Sequence, residues 1–291
     1  MTFWKNKNAA KYPNSEWPLE LSERMQSFAD WEEFYRSHSY INDPMYIEML
    51  VDLVRQNGYY CPGLHQDVQA DLIVFGAPNY REGLYYGGLN SRLRAVLLEL
   101  HRCFSERPEG ELRIYAPEAT TTFAKLMRGR YIRFIGSEYS DDPQVIDSLF
   151  PIQRENLMDL SFPDAVFDAV IVNDVFEHVP EIDKCLLEIA RVTRPGGRLI
   201  TTFPFNIGAE TSVHKARWGD RGIEYLMEPE YHGNPVDPKG SLVFEIPGWN
   251  ILERARNCGW QKVEMVYETS VNYGVVGGGF SGIFNFVAKR N

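Results

Sequence analysis

The 291-residue chain has only four cysteines, Cys61, Cys103, Cys185 and Cys258, and no two stand close enough to form a paired motif. That spacing excludes a disulfide framework and offers no thiolate metal site. Long apolar runs are missing as well, and the opening stretch from Met1 to Pro18 is polar, with Trp and Lys where a signal peptide has its apolar core. A cytoplasmic, reduced protein without membrane attachment is expected. Positive charge is in short supply, with 30 Lys and Arg against 40 Asp and Glu, a net charge of −10 and a pI near 5.2. A surface of that sign repels phosphate backbones, so nucleic acid is not expected as a partner. The glycine-rich stretch Tyr273-Gly-Val-Val-Gly-Gly-Gly-Phe-Ser-Gly lacks the lysine of a phosphate loop and reads as a flexible hairpin connection between the last two strands. What is present is a hydrophobic share of 44% and an aromatic share of 13%, the balance of a globular protein with a packed core and a ring-lined cavity.

The pattern changes near residue 107. Before it, Trp31–Tyr35, Tyr46–Arg55 and Ser91–Phe104 carry apolar residues at helical spacing, with Met45, Ile47, Met49, Leu50, Leu53 and Val54 largely on one side of the second. Asn57–Gly88 is rich in Gly, Pro and Tyr and reads as loop or hairpin, with a strand-like run Leu72–Phe75. After residue 107, short apolar runs (Leu112–Ala116, Tyr131–Ile135, Ala169–Val172, Arg198–Phe203, Lys262–Tyr267, Gly282–Ala288) alternate with helical stretches (Thr121–Met127, Ile182–Val192, Trp249–Cys258). Alternation of that kind predicts an α/β, doubly wound sheet, with ligands beyond the carboxyl ends of the strands. The expected division is residues 1–106, a mainly helical extension able to cap the site, and 107–291, the sheet domain, with a lid insertion at 205–245.

The richest stretch runs from Leu160 to Pro180. A buried strand ends in Asn173 and Asp174, Glu177-His178-Val179 follows, and the next helix stops at Arg194-Pro-Gly-Gly before another strand. In that order these motifs resemble the class I S-adenosylmethionine-dependent methyltransferases, over about residues 110 to 205. The resemblance implies a Rossmann-like, seven-stranded sheet, methyl transfer, and S-adenosylmethionine as cofactor. It also implies site positions: Glu138, closing the second strand, takes both ribose hydroxyls; Asp159 takes the adenine amine, with the Leu160 amide reading the ring; Asn173 meets the methionine part, with Asp174 a second contact. A carboxylate suits ribose because it only accepts and takes a bidentate pair. Glu138 also reads as a solvated loop residue, and Asp159 as a turn cap beside Ser161.

One departure concerns the first strand, which in this family runs into a glycine-rich turn. Here it runs Arg113-Ile-Tyr-Ala-Pro-Glu-Ala-Thr-Thr-Thr with no glycine. Ala116, Pro117 and Glu118 resemble a variant turn of one branch of the family. Glu118 is then placed to hold the cofactor's ammonium, and Thr120 and Thr121 to cap the following helix. A pocket that has lost its cofactor is the alternative. Relatives carry a zinc-ribbon-like module before this domain, but Cys61 stands alone here and one thiol cannot make a tetrahedral site, so no metal is expected. Arg92 and Arg94 read as structural, pairing with acidic loops of the catalytic domain.

Residues 205–245 hold the acceptor-side candidates. Methyl transfer requires alignment and, for a hydroxyl, removal of a proton, for which histidine is suited. The candidates are His232, then His178, then His214; His178 also reads as a packing residue beside Pro180. Tyr231, Trp218 and Tyr225 suit stacking on a ring face and Arg217 suits a polar group, although aromatic residues in lids also serve as plugs. Glu230-Tyr-His-Gly-Asn-Pro235 loosely resembles methyltransferases found among bacterial polysaccharide and secondary-metabolite genes. The expected acceptor is therefore small and polar, foremost a hydroxyl of a sugar or glycan precursor. A nitrogen acceptor, and a non-catalytic methyltransferase-fold binding protein, remain as alternatives. Oligomeric state is not legible.

Overall fold

The computed structural model describes residues 16–76 and 78–291, so most of the polar opening stretch lies outside the described residues. The chain divides into two compact units, one of residues through Met25 with Ala29–Phe104 and Met265–Asn285, the other of Gln26–Phe28, Ser105–Glu264 and Phe286–Asn291. The packing is thus not divided by a single cut near residue 107, because Met265–Asn285 belongs to the first unit.

The first unit is more than helix and loop. Its elements are β1 (Glu20–Met25), α1 (Phe28–Ser37), α2 (Pro44–Asn57), β2 (Tyr59–Cys61), β3 (Gln66–Val68), β4 (Val74–Phe75), α3 (Tyr80–Gly83), β5 (Leu84–Tyr85) and α4 (Ser91–Phe104). β1 pairs antiparallel with Met265–Ser270, Met25 lying opposite Met265, a strand that the mostly exposed Glu-Leu-Ser-Glu-Arg-Met does not announce. α2 begins at Asp43, whose carboxylate accepts the Met45 N–H at 2.8 Å, with Pro44 where no amide partner is needed. It ends at Gly58, φ +73°, where a Cβ would stand 2.0 Å from the Val68 carbonyl. Ile47, Met49, Leu50, Leu53 and Val54 are buried as their spacing predicts, but Met45, in the first turn, is exposed.

Arg94 on α4 is fully buried and, among the described residues, pairs with no acidic loop. Its guanidinium donates to the carbonyls of Leu84, Leu89 and Gly274 and lies 4.4 Å from the Tyr59 ring centre. Arg92 pairs with Glu82 at 3.0 Å, inside the same unit. The glycine-rich connection is packed: Val275 and Val276 are fully buried, and Ser91 bonds both the carbonyl and the amide of Val276.

The second unit contains β6 (Arg113–Ala116), α5 (Thr122–Arg130), β7 (Arg133–Glu138), α6 (Pro143–Ser148), β8 (Gln153–Arg154), β9 (Phe167–Asn173), α7 (Ile182–Val192) and β10 (Thr193–Thr202). Six short strands follow, β11 (Val213–His214), β12 (Ala216–Gly219), β13 (Gly222–Tyr225), β14 (Tyr231–His232), β15 (Ser241–Leu242) and β16 (Glu245–Ile246), then α8 (Ile251–Asn257). β17 (Trp260–Ser270) and β18 (Ile283–Arg290) have their Trp260–Glu264 and Phe286–Arg290 portions here. The strand order is β17, β18, β10, β9, β6, β7, β8; the last five run parallel, and β18 is antiparallel to β10. β9 is a continuous apolar run, as a strand covered on both faces must be. Its one charge, Asp168, is buried and held by the guanidinium groups of Arg107 and Arg194 and by the Arg113 amide at 2.8 Å. Arg194-Pro-Gly-Gly, expected as a turn, lies within β10 as an irregularity in the pairing with β9. Gly197 is required there, because a Cβ would stand 2.8 Å from the Asp168 carbonyl.

Candidate active site

The carboxyl ends of β6, β7 and β9 meet at one place. Ala116 lies opposite Gly136, and Asn173 opposite Thr202 of β10. The turn after Ala116 needs no glycine of its own because the neighbouring strand supplies it: a Cβ on Gly136 would stand 2.5 Å from the Glu118 carbonyl. Thr121 caps α5, its hydroxyl accepting the Ala124 N–H at 3.1 Å. Glu138 reaches into this turn, and its Oε1 accepts from the amides of Ala119 (2.9 Å) and Thr120 (2.8 Å) and from the Thr120 hydroxyl (2.8 Å). Glu138 is therefore buried and engaged rather than a solvated loop residue, with Oε2 the oxygen left for a ligand. Glu118 accepts from the Asn173 amide nitrogen at 2.6 Å and from the Thr121 hydroxyl at 2.5 Å. The Oδ1 of Asn173 is buried and has no partner among the described residues, an acceptor that a cationic donor would satisfy. Asp174 follows at φ +48°, its amide bonded to the Thr202 carbonyl at 2.8 Å.

Asp159 sits on a tight turn, its amide bonded to the Asn156 carbonyl at 2.9 Å, while the Asn156 side chain takes the Met158 amide at 2.9 Å. Its carboxylate is exposed and does not cap Ser161, which bonds Glu155 instead. The loop is pinned by α7: Glu188 accepts the Leu160 amide at 3.0 Å, and Arg191 donates to the carbonyls of Leu160 (2.8 Å) and Phe162 (2.7 Å). The Arg191 guanidinium holds the Glu188 carboxyl below the usual carboxylate range.

Two of the three histidines come together. After β9 the chain makes a short 3-10 turn, Phe176–His178, and Glu177 is fully buried at its centre. His178 Nε2 lies 3.5 Å from Glu177 Oε1, and His232 Nδ1 lies 3.7 Å from the same oxygen. The rings meet edge to face, 5.0 Å between centres. The outer nitrogens are tied down: His178 Nδ1 bonds the Leu242 carbonyl at 2.9 Å, and His232 Nε2 bonds Glu230 Oε1 at 3.0 Å. Carbonyl and carboxylate only accept, so both outer nitrogens carry the hydrogen and both inner ones turn toward Glu177. Burial pushes the pKa of His178 down. Lys215, bonded to Glu230, holds that carboxyl below its ordinary range.

The β14–β15 hairpin builds this cluster. Tyr231 pairs with Leu242 and His232 with Ser241, so one ladder carries both His232 and the carbonyl that fixes His178. The hairpin is anchored to the turn by the Phe244 amide on the Glu177 carbonyl at 2.7 Å. Sequence reading missed Glu177, Glu230 and Lys215. The signal was there for two: Glu177 adjoins His178, and Glu230 stands two before His232, hence on the same side of an extended chain.

The other candidates stay outside the cluster. His214 is exposed, 3.7 Å from Glu245, which Arg254 already binds. Arg217 bonds Glu224 across the β12–β13 hairpin at 2.8 Å. Trp218, Tyr225 and Tyr231 are about half exposed, as are Leu226 and Met227, and Trp218 stands opposite the exposed Ile223 across the β12–β13 hairpin.

Residues 121–201 match the family model described as a methyltransferase domain. An uncharacterized methyltransferase of Mycobacterium sp. (strain KMS) is 27% identical over 187 residues, covering 60% of this chain and 73% of that protein. Residues 121–201 thus carry a methyltransferase domain, and the relatives the chain resembles over a longer stretch are named methyltransferases. A demethylmenaquinone methyltransferase of Symbiobacterium thermophilum is 41% identical over 68 residues, 23% of this chain and 24% of that protein. Among solved structures, an S-adenosylmethionine-dependent methyltransferase from Mesorhizobium loti is similar with a TM-score of 0.43 and 14% identity, over 67% of this chain and 98% of that one. The residues at these strand ends fit S-adenosylmethionine: Asn173 Oδ1 lacks a partner among the described residues, Asp159 is presented on a fixed turn, and Glu138 has Oε2 to offer. Among the described residues no helix is long and apolar enough to cross a membrane.

Proposed function

We propose that this methyltransferase acts on a hydroxyl group of a small polar acceptor, with a sugar or glycan precursor foremost. The observation that carries the reading is the Glu177–His178–His232 cluster, five residues or fewer beyond Asn173 on one side and brought in by the 205–245 segment on the other. A hydroxyl must lose its proton as its oxygen attacks, whereas an amine can attack neutral; a site with two fixed imidazole nitrogens and a carboxylate suits the former. In the transfer a C–O bond forms as the C–S bond of the sulfonium breaks, and the acceptor's proton passes to the cluster side. The chain's own part is alignment and proton handling: Glu118, Glu138, Asp159 and Asn173 hold the donor, the cluster holds the acceptor oxygen, and the β14–β15 hairpin keeps the two histidines in register.

A second reading, a ring-bearing acceptor, is favoured by the exposed side chains of Trp218, Ile223, Tyr225 and Tyr231. Methyl transfer from labelled donor to a panel of nucleotide sugars, glycans and hydroquinones tests both. Label in a sugar ether supports the first reading; label confined to the aromatic acceptors overturns it.

A further inference from the structure

We infer that Glu177, His178 and His232 bind one divalent first-row transition cation through Glu177 Oε1, His178 Nε2 and His232 Nδ1. The three ligand atoms lie within 4.8 Å of one another, and the two distances to the carboxylate oxygen are 3.5 and 3.7 Å. A cation about 2.0–2.2 Å from each of three such ligands sets them about 3–4 Å apart, so the spacing needs little adjustment. Orientation is the stronger argument. Because the Leu242 carbonyl and Glu230 take the hydrogen of each ring's outer nitrogen, the neutral rings turn two imidazole lone pairs and a carboxylate oxygen to a common point. A single divalent ion between the three ligand atoms would engage all of them at once. Hydrogen-bonding the outer nitrogen to a carbonyl or carboxylate is also how proteins orient histidines that ligate metals.

The inference rests on the hydroxyl reading and deepens it. Two imidazoles and one carboxylate leave positions open on the ion, as catalytic sites do and structural ones do not. With the ion bound, the three side chains would act as its ligands in place of taking the proton themselves, and the ion would make an acceptor hydroxyl more acidic, so that its proton would leave to water. The four dispersed cysteines gave no hint of this site, since it uses none of them.

The test is calorimetric titration of the full chain, stripped with chelator, with MnCl2 and with ZnCl2, alongside a titration with S-adenosylhomocysteine on the same sample. One equivalent of either metal is expected to bind, raising the melting temperature. His232→Ala and Glu177→Gln are each expected to weaken binding at least tenfold, and His214→Ala to leave it within twofold. Glu177 is buried and its variant is the one at risk of misfolding, so the half-buried His232 carries the test. Absence of stoichiometric binding to a wild type that still binds S-adenosylhomocysteine overturns the metal site alone, as does binding that His232→Ala leaves unchanged. Failure of S-adenosylhomocysteine to bind while metal does would overturn the donor-site reading and leave the metal site standing.

Discussion

Glu138 and Thr120 are joined twice, by the Thr120 amide and by its hydroxyl, both 2.8 Å from the same carboxylate oxygen. The acidic side chain that ends β7 therefore shapes the turn that ends β6. In a turn without glycine this link replaces backbone freedom with a side-chain brace. Glu138→Ala is expected to weaken S-adenosylhomocysteine binding well over tenfold, and Thr120→Val, which keeps the amide, by a few-fold. Calorimetry decides: an unchanged affinity in Glu138→Ala would remove this residue from the donor site.

His232→Ala is expected to lower turnover by a factor of about 10²–10⁴, the usual range for a lost proton-handling group, while S-adenosylhomocysteine affinity stays within twofold. Steady-state kinetics on the identified acceptor with parallel calorimetry separates the effects. A large loss of donor affinity would show that the β14–β15 hairpin supports the donor pocket instead.

Glu188 provides a pH dependence with a definite sign. Its folded carboxyl sits below the ordinary value, chiefly through the hydrogen bond to Arg191. Its contribution to stability is therefore complete above the ordinary carboxylate pKa of about 4.3 and is lost as pH falls through the depressed folded value. Melting curves of wild type and Glu188→Gln should differ at pH 7 and converge on the acid side. A gap that stays constant down to the acid limit would contradict this. Because Glu188 also takes the Leu160 amide, donor affinity should fall a few-fold in the variant.

Arg94→Met removes a charge that three backbone carbonyls and a tyrosine ring surround. Leaving such acceptors buried and unmatched costs about 1–3 kcal/mol each before relaxation, so a stability loss of about 3 kcal/mol or more is expected in denaturant unfolding. Arg94→Lys, which cannot span all three carbonyls, should recover only part of it.

Much of the architecture is legible because it is local. Ser91–Phe104 and Ile182–Val192 form helices with the bounds their periodicity predicts, and Ala169–Val172 is a strand because an uninterrupted apolar run of that length has few other fates. β1 was not legible: its residues are mostly exposed, and their pairing depends on Met265–Ser270, far along the chain. Glu138, Asp159 and Asn173 are proposed for the donor site through the family resemblance and the order of its motifs, and Glu138 and Asn173 do end β7 and β9. That order could not say where their oxygens point. The glycine missing from the first turn is the same lesson, since the close approach it normally permits is provided by Gly136 on another strand.

The sequence by itself determined the alternating helices and strands and the kind of residue at each strand end, because periodicity and side-chain chemistry act over a few neighbours. Only the tertiary structure decided that Glu177 faces both His178 and His232 while His214 is left on Glu245. That choice depends on the pairing of β14 with β15 and on the Phe244–Glu177 backbone bond, contacts between segments that share no local pattern.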